Sequence, residues 1–268
     1  MLITGASGFV GNKIMECCKN VVAAPSLRNA TEDQIKKIVE KSGADTIVHT
    51  AAISNIGECE KNPEESYIAN VQIPVYLAKA TKGRKLICFS SDQVYGGMDD
   101  DGPYTEEKVK PSNIYAKHKV EMEQRVLDIC PDAVILRAEW MYDYHLNRSN
   151  YFMNILNAEN SVAFSSKQYR GITYVKEVAE NIKKAVALPG GTYNFGSETT
   201  MSMYDITKFF LNALNSDLHL LDAPARHNLW VDCSKAKKFG ISFRDIPGAL
   251  LQCVEDHLIP IKKHNKET

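Results

Sequence analysis

The chain has 268 residues, of which 44% are hydrophobic and 24% charged, and its formal net charge is −1 at pH 7. That length accommodates a full α/β domain with a smaller appended lobe. The balanced charge gives no electrostatic reason to expect binding to nucleic acid or to an anionic membrane.

The seven cysteines are odd in number and show no C-x-x-C spacing. We therefore expect buried thiols rather than a disulfide framework or a zinc site, and we predict no metal-binding residues. No apolar run is long enough to span a bilayer, and no signal-peptide pattern precedes the first strand. A cytoplasmic location is expected.

The first predicted element is a short strand that leads into a glycine loop of pattern G-x-x-G-x-x-G, formed by Gly5, Gly8 and Gly11. A helix-like run follows, so unpaired helical N–H groups and the positive end of a helix dipole face the loop. Glycine also lets a phosphate approach the backbone without meeting a Cβ. The same pattern occurs in ordinary strand-to-helix turns, so it needs support from the rest of the chain.

Continuous apolar strands alternate with helices through the first half of the chain. Strands are predicted at residues 21–24, 46–49, 86–89 and 133–136, and helices at 31–41, 64–82 and 113–127. Fully apolar strands between helices indicate a parallel sheet covered on both faces. The predicted fold class is α/β, a Rossmann-like doubly wound parallel sheet.

The alternation becomes irregular after about Trp140, where we predict a small discontinuous C-terminal lobe over the carboxyl edge of the sheet. A helix at 175–187 and a strand at 192–195 return to the main sheet, whereas the lobe is built from short elements at 150–157, 161–164, 203–214 and 249–258. The predicted dinucleotide-binding domain is residues 1–145 with 176–196, and the predicted substrate-binding lobe is 146–175 with 197–268.

The end of the second strand bears on which dinucleotide is bound. An acidic residue is expected there if the ribose hydroxyls of NAD are to be held. The chain instead has Ser26 and Arg28, with no carboxylate before Glu32. Ser26 and Arg28 suit a 2′-phosphate, so NADP(H) is preferred and NAD(H) is the second possibility. Arg28 could also be an ordinary solvated loop residue.

A third group of residues suits proton transfer. Ser91 lies at the end of a predicted strand, and Tyr115 and Lys119 are four residues apart in a predicted helix, which places them on one face. We expect the Lys119 ammonium to lower the pKa of the Tyr115 phenol, and a carbonyl oxygen to bind between Ser91 and Tyr115.

These features, in this order, resemble the extended branch of the short-chain dehydrogenase/reductase superfamily, which acts on nucleotide sugars. Within that branch the chain most resembles the dTDP-4-dehydrorhamnose reductases. The resemblance runs through nearly the whole length, in residues 51–52, 69–71, 90–95, 103–106, 111–115, 136–142, 191–196 and 228–235.

The resemblance implies hydride transfer between NADP(H) and a 4-keto nucleotide diphospho-sugar, with Ser91, Tyr115 and Lys119 as catalytic residues. Tyr115 is the implied general acid, and a homodimer is the family-level expectation. The residues expected to bind the cofactor are Gly5, Ser7, Gly8, Phe9, Val10, Gly11, Ser26, Arg28, Asn29, Ala51, Ala52, Ser90, Tyr115 and Lys119. Those expected to contact the substrate are Ser91, Gln93, Trp140, Arg170 and Arg226.

Departures from the family pattern leave two alternatives open. Ser91 stands where Thr is usual, Asn29 where Asp is frequent, and Gln93 where these reductases often have Tyr. The related dehydratases have a Glu base at the position of Gln93, and an amide cannot act as that base, so dehydration is disfavoured. The alternatives are a nucleotide-sugar epimerase with retained NAD(P) and a non-catalytic NADP-binding regulatory subunit, like the β subunit of methionine adenosyltransferase.

Overall fold

A computed structural model describes residues 1–145, 149–224 and 226–261. Its strands in chain order are β1 (Leu2–Thr4), β2 (Val22–Ala23), β3 (Thr46–His49), β4 (Lys85–Ser91), β5 (Val134–Ala138), β6 (Trp140–Tyr142), β7 (Ser161–Phe164), β8 (Ile172–Tyr174), β9 (Gly191–Phe195) and β10 (His219–Asp222).

Its helices in chain order are α1 (Phe9–Cys17), α2 (Glu32–Ser42), α3 (Ile56–Lys61), α4 (Pro63–Tyr67), α5 (Ile73–Ala80), α6 (Ile114–Ile129), α7 (Tyr151–Leu156), α8 (Val175–Ala185), α9 (Met203–Ala213), α10 (Ser234–Lys237) and α11 (Ile246–Asp256). A π-helical turn at Ile68–Gln72 joins α4 to α5, and a 3₁₀ turn at Asp92–Tyr95 follows β4.

Six strands form one parallel sheet in the order β2-β1-β3-β4-β5-β9. The chain leaves β1 towards β2 and then returns across β1 to reach β3, so the strand order reverses between β1 and β3. In an open parallel sheet, ligands bind in the crevice outside the carboxyl ends of the strands at such a reversal. The predicted Rossmann-like doubly wound sheet is confirmed.

Alternate residues of the strands point to opposite faces of the sheet, and each face has its own apolar core. Ile3, Val48 and Ile87 pack with α1 and α8 on one face. Their neighbours in the chain, among them Leu2 and Ile47, pack with α2, α5 and α6 on the other. Because both faces are covered, the central strands carry runs of consecutive apolar residues, as in Ile47-Val48 of β3 and Leu86-Ile87-Cys88-Phe89 of β4.

A separate apolar core lies in the C-terminal part, where α7, α9 and α11 pack together around aromatic residues. Two short parallel pairs of strands accompany it, β7 with β10 and β6 with β8. The domain boundaries that we predicted stay a prediction, and residues 146–148, 225 and 262–268 of the predicted lobe lie outside the described residues. No helix in the described ranges has both the length and the apolar character needed to cross a bilayer.

The glycine loop is packed tightly against the end of β3. Gly5 has φ of 71°, in the left-handed region, and a Cβ on it would lie 2.7 Å from the backbone nitrogen of Ala51. A Cβ on Gly11 would lie 2.1 Å from the carbonyl oxygen of Gly5, so α1 sits directly on the loop. Glycine is therefore required for conformation at Gly5 and for close packing at both positions.

Two alanine variants separate these requirements. Gly83 has φ of 72°, and a Cβ on it would meet nothing within 4 Å. We expect Gly83→Ala to lower the free energy of unfolding by about 1–2 kcal/mol through backbone strain alone. Gly5→Ala should lose roughly 1–3 kcal/mol more because it also overpacks against Ala51. Chemical denaturation of both variants measures the difference, and equal losses would show that the close approach to Ala51 carries no energetic weight.

Candidate active site

The N-terminus of α1 is open to a ligand. Gly8 is its N-cap residue and supplies no side-chain hydrogen bond, and no acidic residue lies in the first turn. The Gly8 N–H donates to the Gly5 carbonyl oxygen at 2.8 Å, which closes the turn. This cradle, with glycine where a Cβ would collide with Ala51, fits a pyrophosphate.

A cavity of about 370 Å³ adjoins the loop. Of the predicted cofactor residues it is lined by Gly5, Ser7, Ser26, Arg28, Asn29, Ala51 and Ala52. Sequence reasoning did not assign several further lining residues to the site, namely Ile53, Glu65, Ile68, Ala69 and Ile73. Two of them lie in the π-helical turn, which the helical periodicity of the sequence gave no means of locating.

The remaining predicted cofactor residues have other surroundings. Phe9 lines a second cavity, of about 360 Å³, together with Ser90. Val10 packs against the core of the sheet, and Gly11 is buried beneath the loop. The Ser90 hydroxyl donates to Glu123. Val10 and Gly11 thus support the loop through packing.

The three predicted catalytic residues meet at the edge of the second cavity. Ser91 ends β4, and Tyr115 lies in the first turn of α6, whose N-cap Asn113 accepts a hydrogen bond from the Ala116 N–H at 2.8 Å. The Ser91 hydroxyl lies close enough to the Tyr115 phenol to lower its pKa. The Lys119 Nζ lies 5.7 Å from the Tyr115 ring centroid and donates to the Phe89 carbonyl oxygen at 2.9 Å.

The electrostatics of the pair differ from our expectation. Burial raises the pKa of Tyr115, the nearby Asp92 carboxylate raises it further, and the nearby Ser91 hydroxyl opposes both. Burial also lowers the pKa of Lys119 to about 8. The expected lowering of the Tyr115 pKa by the Lys119 ammonium is not found, and burial, which favours the neutral form of each group, has the largest effect on both.

An ion pair borders the second cavity opposite α6. The Asp92 Oδ2 accepts hydrogen bonds from Arg170 Nη2 at 2.9 Å and Nε at 3.1 Å, and the Arg170 guanidinium lies over the Trp140 ring at 5.2 Å from its centroid. Asp92 Oδ1 accepts from the Ser91 hydroxyl at 3.1 Å. The cavity is also lined by Gln93.

For Arg226 and Asp92, the lining of the cavities differs from the set of residues predicted from the sequence. Arg226, a predicted substrate residue, is exposed and does not line either cavity in the part of the chain described. Asp92 was not among the predicted site residues, although its position directly after Ser91 could have signalled it. The assignment of roles to all these residues stays a prediction.

A cluster of Asp143, Cys253 and His257 brings three potential metal ligands within 4.8 Å of one another. The Asp143 carboxylate already accepts from the Lys13 ammonium at 2.7 Å and from His257 Nε2 at 2.9 Å. Burial raises the pKa of the Cys253 thiol, which disfavours the thiolate that a metal would need. Because the Lys13 charge already balances Asp143, we assign no metal to this cluster.

The fold and the residues at the crevice define an α/β protein of the short-chain dehydrogenase/reductase type. The chain belongs to the family described as the RmlD substrate binding domain, which it matches over residues 1–237. The resemblance to this family predicted from the sequence is confirmed.

Curated relatives include reductases and beta subunits of methionine adenosyltransferase 2. The chain is 33% identical over 151 residues to dTDP-4-dehydrorhamnose reductase of Mycolicibacterium smegmatis, a match that covers 53% of this chain and 46% of that protein. It therefore spans less than half the length of that relative. It is 30% identical over 281 residues to the methionine adenosyltransferase 2 subunit beta of Xenopus laevis, covering 91% of this chain and 83% of that protein.

Solved structures share the fold along almost the whole chain. A dTDP-4-dehydrorhamnose reductase of Bacillus anthracis, in complex with NADP, superposes with a TM-score of 0.85 at 20% identity, covering 95% of this chain and 98% of that one. A UDP-N-acetylglucosamine 4-epimerase of Methanobrevibacter ruminantium gives a TM-score of 0.79 at 20% identity, covering 96% and 97%.

The burial of Lys119 predicts that its positive charge lowers the stability of the folded protein at neutral pH. Because the folded state lowers the pKa of Lys119 from 10.5 to about 8, the charged lysine destabilises the fold at pH 7, and the penalty decreases as pH rises through that interval. Lys119→Met should therefore be more stable than wild type at pH 7, and the gap should narrow by about 1 kcal/mol at pH 9. Denaturant unfolding of both proteins at the two pH values measures this gap. A gap that is constant or widens would mean that Lys119 does not titrate as the structure indicates.

Proposed function

We propose that the protein is an NADP(H)-dependent reductase of a 4-keto nucleotide sugar, similar to dTDP-4-dehydrorhamnose reductase. The observation that carries this proposal is that Ser91 and Tyr115 line one cavity beside the glycine loop, with Lys119 one helical turn from Tyr115. The names of the relatives from Mycolicibacterium smegmatis and Bacillus anthracis support it.

The cofactor-binding residues form two groups, one for the pyrophosphate and one for the 2′-phosphate. Gly5, Ser7 and the N-terminus of α1 hold the pyrophosphate, and Ser26 and Arg28 receive the 2′-phosphate of NADP(H). NADPH supplies a hydride when bound. Support for NADP(H) over NAD(H) also comes from the NADP named with the Bacillus anthracis structure.

Proton transfer is the task of Tyr115. The hydroxyls of Ser91 and Tyr115 donate to the keto oxygen and stabilise the negative charge that develops there. Because burial raises the pKa of Tyr115, its phenol stays protonated at neutral pH and acts as a general acid, as reduction requires. The Lys119 ammonium then stabilises the phenolate that remains, from 5.7 Å to the ring centroid.

The sugar nucleotide occupies the second cavity. Trp140 offers an apolar face to the sugar, Gln93 offers amide groups, and the part of Arg170 not bound to Asp92 offers N–H donors to the diphosphate. A neighbouring structure is named as a complex with UDP-glucose and NAD, which supports a nucleotide diphospho-sugar as the ligand class. The role of Arg226 stays open in this proposal because it is exposed.

The second candidate is a regulatory subunit that binds NADP without turnover. It is favoured by the 30% identity to the Xenopus laevis methionine adenosyltransferase 2 subunit beta, of which the chain covers 83%. The presence of Ser91, Tyr115 and Lys119 close together argues for the enzyme. Net consumption of NADPH separates the reductase both from this subunit and from an epimerase with retained NAD(P). Turnover of a sugar nucleotide without net NADPH consumption identifies the epimerase.

The proposal extends to a cytoplasmic homodimer. All seven cysteines are free and five are buried, as in proteins of reducing compartments. Light scattering of the purified protein measures the oligomeric state.

Loss of the phenol is the main test of the mechanism. With dTDP-4-dehydrorhamnose, wild type should oxidise NADPH, and Tyr115→Phe should lower kcat by about 10²–10⁴-fold because the proton donor is removed. NADPH absorbance follows the reaction. Tyr204→Phe, in α9 of the C-terminal part, is the control and should keep the wild-type rate. Absence of NADPH oxidation by wild type, or an unchanged rate in Tyr115→Phe, would refute the proposal.

Arg28 tests the choice of cofactor. Arg28→Ala should raise the KM for NADPH about tenfold or more, since a charge-assisted contact with the 2′-phosphate is lost, and should leave the KM for NADH unchanged. Arg125→Ala, which removes an exposed arginine paired with Glu121, is the control. Equal effects on both cofactors would show that Arg28 does not contact the 2′-phosphate.

A further inference from the structure

A buried carboxyl lies at the carboxyl edge of the sheet and has no part in the mechanism above. Glu139 follows the last residue of β5, Ala138, which is paired with Ser91 on one side and Phe195 on the other. Its side chain is only 3% exposed, yet the residue lines the cavity that also contains Ser91 and Tyr115. Glu139 therefore stands in the middle of the sheet edge, below the proposed substrate.

Two glycines make room for this carboxyl. A Cβ on Gly171 would lie 1.8 Å from Glu139 Oε1, and a Cβ on Gly196 would lie 2.1 Å from Oε2. Any side chain at either position would collide with the carboxyl group. The backbones that precede β8 and follow β9 thus form the walls of a slot which Glu139 fills.

The hydrogen bonds of Glu139 are incomplete. Oε2 accepts from the Thr173 hydroxyl at 3.0 Å, and the Thr173 oxygen accepts from the Ser197 N–H at 2.9 Å. Oε1 is buried and has no hydrogen-bond partner among the described residues. A buried carboxylate with an unpaired oxygen is far more costly than the neutral acid, so the slot favours the protonated form.

Charged and titratable groups face Glu139 from each neighbouring element. Asp92 lies in the turn after β4, Arg170 before β8, Glu198 after β9, and Cys233 at the start of α10. Burial, followed by repulsion from Asp92, raises the pKa of Glu139 to about 8, whereas Thr173 and Arg170 oppose this shift. At neutral pH most molecules hold Glu139 uncharged.

We propose that Glu139 is a positioning residue for the substrate cavity: it fixes the segment that bears Arg170 against the ends of β5 and β9 and, while neutral, leaves the Arg170 guanidinium paired with Asp92. As far as it concerns a sugar nucleotide in that cavity, the inference rests on the proposed function. Glu139 acts through Arg170 and does not touch the substrate.

Ionisation of Glu139 changes this arrangement. Arg170 then faces two carboxylates, and its attraction to Glu139 weakens its hold on Asp92 Oδ2. Asp92 also accepts from the Ser91 hydroxyl, so the disturbance reaches the substrate side of the site. The cofactor loop lies outside this network, and the effect should appear in the KM for the sugar nucleotide rather than in NADPH binding.

The kinetic test compares wild type with Glu139→Gln, which keeps the shape but cannot ionise. Both should have similar KM values for dTDP-4-dehydrorhamnose at pH 6.5, and at pH 9 the wild-type KM should exceed that of Glu139→Gln by about tenfold. Lys119 titrates in the same range in both proteins, so the ratio of the two KM values isolates Glu139. The Kd for NADPH should show no such divergence. A pH-independent KM ratio, or a divergence in the Kd for NADPH as well, would overturn the proposal.

A ligand-free test distinguishes failure of this inference from failure of the proposed function. Because the folded state raises the pKa of Glu139 from 4.5 to about 8, its stabilising contribution is complete below pH 4.5 and is lost as pH rises through 8. The Tm of wild type should therefore fall relative to that of Glu139→Gln between pH 5 and pH 9. Parallel Tm curves would refute the inference whatever the enzyme reduces.

A double-mutant cycle tests the slot if Glu139→Gln folds poorly. Gly171→Ala alone should lower the Tm strongly, because its Cβ meets the carboxyl, and Glu139→Ala together with Gly171→Ala should recover much of that loss. Additive losses would show that Glu139 and Gly171 do not share the space. If the double variant has a Tm close to that of wild type and turns over substrate with an elevated KM, the positioning role is supported. Turnover with a wild-type KM would contradict it.

Discussion

A buried ion pair between Arg137 and Glu123 fixes the geometry on which the candidate site depends. Arg137 lies in β5, is 5% exposed, and binds both carboxylate oxygens of Glu123 in α6. The Ser90 hydroxyl of β4 donates to the same carboxylate, and the Tyr95 hydroxyl accepts from Arg137 at 2.9 Å. One pair of charges thereby joins two strands, a helix and the 3₁₀ turn.

The pair matters because of where it lies on α6. Tyr115, Lys119 and Glu123 are spaced four residues apart, on one face of the helix. Anchoring Glu123 to the sheet therefore sets the rotation of α6, which aims Tyr115 at Ser91. Removing one partner of a buried pair leaves an uncompensated charge, at a typical cost of about 3–5 kcal/mol. The alignment of the proposed catalytic groups therefore depends on keeping this ion pair intact.

The sequence predicted local elements well and long-range pairings poorly. The predicted helix at 64–82 is in fact α4, a π-helical turn and α5, since the wide turn lets Asn70 bind the backbone of Ile53 on both its N–H and carbonyl. Strand β10 was not predicted, because the strand it pairs with in the described part of the chain is the distant β7.

The candidate site shows the same division. Ser91, Tyr115 and Lys119 were selected by spacing within the chain, and the structure brings them together. Asp92 directly follows Ser91 in the chain and could have been found from that position. The surroundings of Glu139 depend on Gly171, which is distant in sequence, so no local pattern indicated them. The direction of the Tyr115 pKa was wrong because spacing gives the distance to a neighbouring charge but not the depth of burial.

The parallel pairing of β7 with β10 has a consequence for how the protein folds during its synthesis. Ser161 pairs with His219, and between them the chain must first complete β8, α8 and β9. During N-to-C synthesis, β7 leaves the ribosome before its partner β10 has been made. It stays unpaired while β9, the last strand of the main sheet, is synthesised. Distant pairings of this kind form slowly and leave apolar surface exposed in the meantime. The C-terminal core is thus expected to close last, over a dinucleotide crevice that is already formed.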